Sequence, residues 1–234
     1  TDLNPTLINC NNLLKGLIKQ EMSDKEIVEH LFSLLCASLS STTNIASFMC
    51  LLLAQNQTVQ DNLRKEIYMT TDSDLSKLTI DQIKKMKYLP QVIQETLRLY
   101  STVPYTTRTA TQTVSIKDGN TNITIPEGTN ILIPFYLLNR DPELWTSPSK
   151  FDPDRFNGQS CSFQSSKVAF YPFGLGSNQC IGSLLAQVEV SILIIHLLKK
   201  YVIHSEPKFK VGLKTGLFLS PSNGVHVQIE RLPL

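Results

Sequence analysis

One segment of the sequence places a single cysteine in a glycine-rich loop, directly before an apolar run. Cys180 follows Gly174 and Gly176, which tolerate the positive φ angles of tight loops, and Gly182 lets a flat ligand come close. From Cys180 to Tyr201 apolar residues recur at helical spacing. Free N–H groups and the positive dipole end at a helix N-terminus stabilise a thiolate. The pattern therefore predicts that this cysteine is offered to a metal.

The other cysteines and histidines offer no competing metal site. Taken by itself, a cysteine in such a loop is more often a small buried residue than a ligand. The remaining candidates are isolated, with no C-x-x-C pair and no histidine pair at zinc spacing: Cys10, Cys36, Cys50, Cys161, His30, His196, His204 and His226. Five scattered cysteines, an odd number, favour a reduced, cytosol-facing environment.

Three motifs in a fixed order resemble those of the cytochrome P450 family, in its microsomal eukaryotic form. Residues 173–182 resemble the haem-ligand loop, residues 94–100 the Glu-x-x-Arg helix, and residues 151–156 the segment whose arginine completes an ion triad. The resemblance runs from about Ser23 to the end and corresponds to the C-terminal half of a full-length member. It implies an α+β fold, mainly α with small β-sheets.

The resemblance also assigns roles to individual residues. Cys180 would be the axial ligand of haem b (iron-protoporphyrin IX), and a thiolate favours O–O bond cleavage more than a neutral imidazole does. Phe173 would shield the sulfur, and Arg108 would hold a haem propionate in two-point geometry. The implied cofactor-binding set is Arg108, Phe173, Gly174, Cys180 and Gly182. A structural ion triad would lock the loop without doing chemistry, and it consists of Glu95, Arg98 and Arg155.

Two positions depart from the family pattern. Asn178 stands where a basic residue usually meets a propionate, and since it brings no charge, we expect weaker haem retention. On the long helix, Ser40 replaces the usual acid, while Ser41 and the adjacent Thr42 are the candidate catalytic hydroxyls. Ser41 is expected to bond back to a carbonyl four residues earlier and so help to open the helix. Ser40 cannot titrate near neutral pH, so proton delivery must use water or be unnecessary.

Hydrophobic periodicity and turn residues outline the elements that position these motifs. The chain is interpreted as the C-terminal part of a single catalytic domain, residues 1–234. Haem would lie between the long distal helix and the proximal helix. The predicted elements are the distal helix 27–55 with Ser23 as N-cap, a helix 59–68, the Glu-x-x-Arg helix 91–99, a small sheet 104–134, a meander 139–170, the haem-ligand loop and proximal helix 170–201, and a C-terminal hairpin 213–231 with an Asn-Gly turn.

The distal helix raises the question of a membrane span. Residues 31–60 carry no charge and are long enough to cross a bilayer. Hydroxyl side chains and Asn44 make the middle of this stretch polar, at the depth where a bilayer contains least water. Since polar groups in a helix centre favour a protein-lined or wet environment, we predict a long helix buried within protein.

Composition and chain start bear on partners and location. A net charge of +2, a pI near 8.2 and the absence of a Lys/Arg run exclude nucleic acid as an expected partner. The chain starts at Thr1 without a signal-peptide pattern, which suggests a fragment or a processed product. With the resemblance, this implies the cytosolic face of the endoplasmic reticulum membrane, in preference to the mitochondrion, through a missing N-terminal anchor.

The resemblance implies an oxidoreductase: a haem-thiolate monooxygenase that inserts one atom of dioxygen into a lipophilic substrate. Electrons would come from NADPH-cytochrome reductase or a similar donor. One alternative is a family member that isomerises or dehydrates a peroxide or endoperoxide without reductant, which would tolerate the missing acid. Another is an inactive haem-binding remnant. Because much of the family's pocket comes from the N-terminal half, this fragment alone is expected to be inactive.

Overall fold

The computed structural model describes residues 10–158 and 170–233 of the chain. Cys161 and part of the predicted meander 139–170 therefore lie outside the described residues. Helices dominate, and every strand is short, so the predicted α+β class is confirmed. The elements are α1 (Cys10–Lys19), α2 (Asp24–Gln55), α3 (Gln57–Thr70), α4 (Ile80–Lys85), α5 (Tyr88–Leu99), β1 (Thr106–Thr109), β2 (Val114–Asp118), β3 (Thr121–Ile125), β4 (Asn130–Ile133), α6 (Phe135–Leu138), α7 (Ser183–Lys200), β5 (Tyr201–Ser205), β6 (Leu213–Thr215), β7 (Leu219–Pro221) and β8 (Val227–Arg231).

Helix α2 begins with a reciprocal cap. The Ser23 hydroxyl accepts a hydrogen bond from the Glu26 N–H at 3.4 Å, and the Glu26 carboxylate accepts one from the Ser23 N–H at 2.9 Å. Each bond satisfies an N–H group that has no partner within the helix. The predicted N-cap at Ser23 is confirmed, and the helix starts at Asp24 rather than at Ile27.

Only the C-terminal part of α2 lies in the core. Residues 44–54 are mostly buried, whereas Val28, Phe32 and Leu39 are 64%, 65% and 65% exposed. The prediction of a helix buried along its length is therefore wrong for its N-terminal part, because no described element covers those side chains. Among the described helices, α2 alone has the length and composition to cross a membrane, a test that soluble core helices and signal sequences also pass.

The core joins the C-terminal half of α2 to three other helices, α3, α5 and α7. Its fully buried side chains come from all four and include Met49, Leu53, Leu63, Ile67, Leu89, Ile194, Ile195 and Leu198. Each such side chain contributes roughly 1.5–3 kcal/mol relative to exposure. The core thus fixes α5 and α7, the helices next to the predicted chemistry, against α2.

The strands form four separate two-stranded ladders, with β1 paired to β4, β2 to β3, β5 to β8 and β6 to β7, all antiparallel. The single small sheet predicted for 104–134 is therefore two ladders. The predicted C-terminal hairpin with a turn at Asn223 and Gly224 is wrong, because β7 and β8 on either side of it belong to different ladders. Strand β8 pairs instead with β5, where Ile203 is fully buried opposite Ile229.

Polar side chains of α3 hold the junction where α7 passes directly into β5. Gln60 has no exposed surface, and its Nε2 donates to the carbonyls of Leu53 at 3.0 Å and Ile203 at 2.8 Å. Its Oε1 accepts from the Ile203 N–H at 3.0 Å. Arg64 donates to the carbonyls of Leu198 and Tyr201, both at 3.2 Å. The Leu198 carbonyl, in the last turn of α7, has no intrahelical donor, and Arg64 supplies one.

We predict that Gln60→Ala lowers the free energy of unfolding by about 1–3 kcal/mol, because it leaves the buried Ile203 N–H without its acceptor. Gln57→Ala is the matched control, since Gln57 also donates to the Ile203 carbonyl, at 2.8 Å, but is exposed. It should cost less than about 1 kcal/mol. Urea unfolding of both variants measures the difference, and equal losses would contradict the assignment.

Candidate functional site

Helix α5 carries a buried ion pair near its C-terminal end. Glu95 and Arg98 both have no exposed surface, and they lie one turn apart on the same helix face. Arg98 Nε donates to one carboxylate oxygen at 2.6 Å and Nη2 to the other at 2.8 Å. This two-point geometry is the strongest arrangement available to a guanidinium and a carboxylate.

The other donors of Arg98 bind the irregular segment that follows α6. Nη1 donates to the carbonyls of Asn139 and Pro148, both at 2.7 Å, and Nη2 donates to the Lys150 carbonyl at 3.0 Å. The guanidinium also lies over the ring of Trp145, 5.0 Å from its centroid. One buried side chain therefore fixes the path of residues 139–150.

Glu95 has further donors from the same segment. Its carboxylate accepts from the Asp152 N–H at 2.8 Å and from Arg155 Nε at 3.2 Å. Arg155 also donates to the carbonyls of Thr146 and Ser147, and Ser147 has a φ of 48°, in the left-handed region. The structure thus brings the three charged residues of the predicted triad together. A buried carboxylate is costly without such donors, and here each oxygen has at least one.

An aromatic cluster continues from this network toward the cysteine loop. Trp145 lies edge-on to Phe170, with ring centroids 6.1 Å apart, and Phe156 lies 5.1 Å from Phe170. All three side chains are buried. Since Phe170 is the first residue of the loop segment, the ion network and the start of that segment share one packed cluster.

The loop itself folds back on its cysteine. The N–H of Cys180 donates to the Phe173 carbonyl at 2.8 Å, and Phe173 packs against the core. Gly174 and Gly176 have φ angles of 75° and 71°, which favour glycine strongly. A Cβ placed on Gly182 would lie 3.9 Å from the Cys180 sulfur. The glycines therefore allow the tight turn and leave space beside the sulfur.

Helix α7 begins later than the sequence predicts. It starts at Ser183 with Gly182 as N-cap, and it ends at Lys200, because Tyr201 is the first residue of β5. Cys180 thus precedes the N-cap and does not lie within the helix. The 3.6-residue periodicity of the apolar residues continues through the turn before α7, so periodicity alone could not locate the boundary.

The three cysteines whose side chains are described differ in exposure. Cys36 and Cys180 are exposed free thiols, whereas Cys50 is partly buried on α2. Burial raises the pKa of the Cys50 thiol to about 11, which disfavours the thiolate that a metal ligand requires. No described group of three His, Cys, Asp or Glu side chains could hold a metal ion.

The two hydroxyls predicted as catalytic lie half-buried on α2. Ser41 Oγ donates to the Ala37 carbonyl at 2.7 Å, the backbond to a residue four positions earlier that the sequence predicts. Thr42 lines a cavity of about 340 Å³ between α2 and α7. The other lining residues are Thr43, Ala46, Ser47, Cys50, Glu189, Val190 and Leu193. Ser40 is exposed.

Arg108 lies on β1, opposite Ile131 of β4, and is exposed. Its Nη1 donates to Thr106 Oγ1 at 2.9 Å and to the Thr107 carbonyl at 2.7 Å. These bonds are local and leave Nε and Nη2 without a partner among the described residues. The guanidinium therefore keeps donors for an external carboxylate.

Sequence reasoning missed several residues of the ion network. Asn139 is buried, donates its side-chain amide to Ser101 Oγ at 2.9 Å, and offers its carbonyl to Arg98. Trp145 supplies the ring over the guanidinium and donates from its indole nitrogen to the Leu138 carbonyl at 3.1 Å. Nothing local in the sequence marks these residues, because Arg98 and Ser101 lie about 40 positions earlier in the chain, at the end of α5 and just after it.

The comparisons with known proteins agree on one family. The sequence matches the family model described as "Cytochrome P450" over residues 3–229. "Probable cytochrome P450 6a13" of Drosophila melanogaster is 32% identical over 218 residues, which cover 92% of this chain and 44% of that protein. "Cytochrome P450 3A6" of Oryctolagus cuniculus is 32% identical over 212 residues, covering 90% of this chain and 41% of that protein.

A solved structure gives the same result for the fold. The structure described as "Crystal structure of a Cytochrome P450 (CYP102L1)" aligns with a TM-score of 0.82 at 23% identity, over 90% of this chain and 46% of that one. The predicted fold is therefore confirmed. The chain spans less than half the length of each of these relatives.

We predict that Arg98→Lys lowers the free energy of unfolding by at least about 3 kcal/mol, because an ammonium cannot replace the five bonds of the guanidinium. Arg155→Lys removes bonds at a side chain that is 12% exposed and should cost only about 1–2 kcal/mol. Urea unfolding ranks the two. The reverse order would show that Arg98 is not the main anchor.

Proposed function

This chain belongs to the cytochrome P450 family, and we propose that the protein is a haem-thiolate monooxygenase that inserts one atom of dioxygen into a lipophilic organic substrate. We also propose that residues 1–234 are the C-terminal part of a single catalytic domain. The observation that carries the proposal is the exposed thiol of Cys180, on a glycine-rich loop joined by packed aromatic rings to a buried ion network.

The residues of the loop fit haem b. Cys180 is the proposed axial ligand, since its thiol is free and exposed and the loop glycines leave room beside it. Phe173 would lie near the sulfur, Gly174 and Gly182 would line the approach, and Arg108 would bind a propionate with its unpartnered nitrogens. When bound, haem with a thiolate ligand supplies the electron donation that favours O–O bond cleavage.

Hydroxyl side chains of α2 would orient water and hold protons next to this helix. The Ser41 hydroxyl donates to the Ala37 carbonyl, so its oxygen lone pairs stay available to accept from a water. Thr42 offers a second hydroxyl one position on. Ser40 has no carboxylate to give or take a proton near neutral pH, so the proton must arrive through water.

The glycine loop lacks one charge that would help to retain the cofactor. Asn178 is exposed in the short turn Gly176–Asn178 and carries no charge. A propionate near this turn would gain hydrogen bonding from the uncharged amide but no ion pair. We propose weaker haem retention than a basic residue would give.

The proposed partners follow from the same family assignment. Electrons would come from NADPH-cytochrome reductase or a similar flavoprotein, and the protein would lie on the cytosolic face of the endoplasmic reticulum membrane. The apolar to mildly polar stretches 103–107 and 217–219 would face a lipophilic substrate. The proposed pocket includes more chain than these 234 residues, so we expect the chain alone to be inactive.

Ser40 favours a second candidate of the same family. An enzyme that isomerises or dehydrates a peroxide or endoperoxide takes both oxygens from its substrate and needs no reductant. It would therefore tolerate the loss of a carboxylate proton relay. An inactive haem-binding protein is the remaining possibility that the test below separates.

The test combines a spectrum with turnover, in the intact protein. We expect a red-shifted Soret band in the reduced CO complex and product formed only with reductase and NADPH. Cys180→Ala should abolish that band, because the anionic sulfur ligand is gone. Cys36→Ala is the control, since Cys36 is also an exposed thiol but lies on α2.

Each outcome selects one function. Conversion of a hydroperoxide without reductase or NADPH would replace the monooxygenase with the isomerase or dehydratase. Folded protein that shows the band but converts no substrate under either condition would leave the inactive haem-binding protein, and folded protein without haem would leave a purely structural one. An unchanged red-shifted band in Cys180→Ala would remove the ligand assignment.

A second prediction concerns the proton path. Ser40→Asp should raise the fraction of consumed NADPH that appears as product by at least about twofold, because a carboxylate near Ser41 can relay protons. Ser38→Asp adds the same charge two residues earlier, about 200° around the helix, and should not raise this fraction. A fraction that stays the same or falls in Ser40→Asp would defeat the relay argument.

A further inference from the structure

Glu66 of α3 closes the N-terminus of α5. Its carboxylate accepts hydrogen bonds from the N–H groups of Lys87, Tyr88 and Leu89 at 2.6, 2.7 and 2.8 Å. Helix α5 has no cap of its own, since the side chain at its N-cap, Lys87, makes no capping bond. The first N–H groups of a helix lack intrahelical acceptors, and a carboxylate there also meets the positive end of the dipole.

The carboxylate is held in place by the core. Leu63 and Ile67 flank Glu66 on α3, and both have no exposed surface. Gln60 and Arg64 tie the same helix to the end of α7. Glu66 is therefore a fixed point to which the start of α5 is attached.

Helix α5 connects the Glu66 cap rigidly to the ion network. Glu95 lies six residues beyond Leu89, so about 9 Å of hydrogen-bonded helix joins the cap to the buried carboxylate. A slip of α5 along its axis would move Glu95 and Arg98 equally. Their bonds to the Asp152 N–H at 2.8 Å and the Asn139 carbonyl at 2.7 Å tolerate only a few tenths of an ångström.

Packing contacts connect the ion network to the cysteine loop. Arg98 lies over Trp145, and Trp145 packs edge-on against Phe170, the first residue of the loop segment. Each contact in this series is between buried side chains, which have little freedom to adjust independently.

We propose that Glu66 is a positioning residue that sets the axial position of α5 and, through the ion network, that of the loop carrying Cys180. The steps from Glu66 to Asp152 rest on the fold alone. The last step, an effect on the sulfur ligand, rests on the proposed function.

The test compares two carboxylates that cap helices, in the intact protein. Glu66→Gln removes the charge and turns an amide NH₂ toward one of the three N–H groups. Glu26→Gln makes the same change at the cap of α2, where Glu26 accepts from the Ser23 N–H at 2.9 Å. Hydrogen exchange is followed at two amides: Asp152, bonded to Glu95, and Ile203, bonded to Gln60.

We expect exchange at the Asp152 amide to accelerate at least about tenfold more than at the Ile203 amide in Glu66→Gln, and not in Glu26→Gln. Equal acceleration at both amides would mean general destabilisation and would overturn the inference, as would no acceleration at Asp152. Acceleration at Asp152 in the Glu26 control would overturn it too. If Glu66→Gln does not fold, Glu66→Asp replaces it. This variant keeps the charge, shortens the reach by one methylene, and is tested by the same comparison of exchange at the Asp152 and Ile203 amides.

A spectrum of the reduced CO complex separates this inference from the proposed function. Glu66→Gln should lower the fraction of protein with the red-shifted Soret band at least about twofold, while Glu26→Gln leaves it unchanged. An unchanged fraction would mean that Glu66 positions α5 only, and it would overturn the proposed effect on the loop that carries Cys180. If the wild-type protein shows no such band but the exchange pattern is found, the haem-thiolate function fails and the positioning of α5 stands.

Discussion

The structure depends on the buried pair of Glu95 and Arg98. Removing two charges from water costs several kcal/mol per ion, and attraction between them offsets that cost only when the remaining donors and acceptors are satisfied. Here Arg98 also binds three backbone carbonyls, and Glu95 also accepts from the Asp152 N–H and Arg155. The pair therefore exists only if residues 139–155 follow one path, and that path exists only if the pair is intact.

This mutual dependence supports a segment whose only regular element among its described residues is one short 3-10 turn, Pro153–Phe156. Backbone carbonyls that a helix or sheet would satisfy internally are satisfied by two guanidinium groups. The same segment carries Trp145 and Phe156, which pack against Phe170 at the start of the cysteine loop. Rigidity is thus concentrated on the side of the molecule that presents Cys180. Helix α2 shows the opposite arrangement: its C-terminal part is packed in the core, while its N-terminal part exposes a row of large apolar side chains.

The sequence predicted features that depend on nearby residues. The capping box at Ser23 needs only residues 23–26, and the backbond of Ser41 needs only the carbonyl four positions earlier. The spacing of Glu95 and Arg98 on one helix face follows from helical geometry. Positions predicted from periodicity were less accurate, because an apolar run continues past the ends of α7 into a turn and a strand.

By itself, the sequence determined the α+β class, the family, the cap of α2 and the cysteine loop, because local hydrogen bonds, periodicity and a fixed motif order encode them. Only the tertiary structure decided that β8 pairs with β5, that Glu66 caps α5, and that Arg98 takes the carbonyls of Asn139, Pro148 and Lys150. The partners in these contacts lie about 20 to 50 positions apart. A strand edge, a helix end and a spare guanidinium donor can each accept many partners, and only the packed core brings one of them within bonding distance.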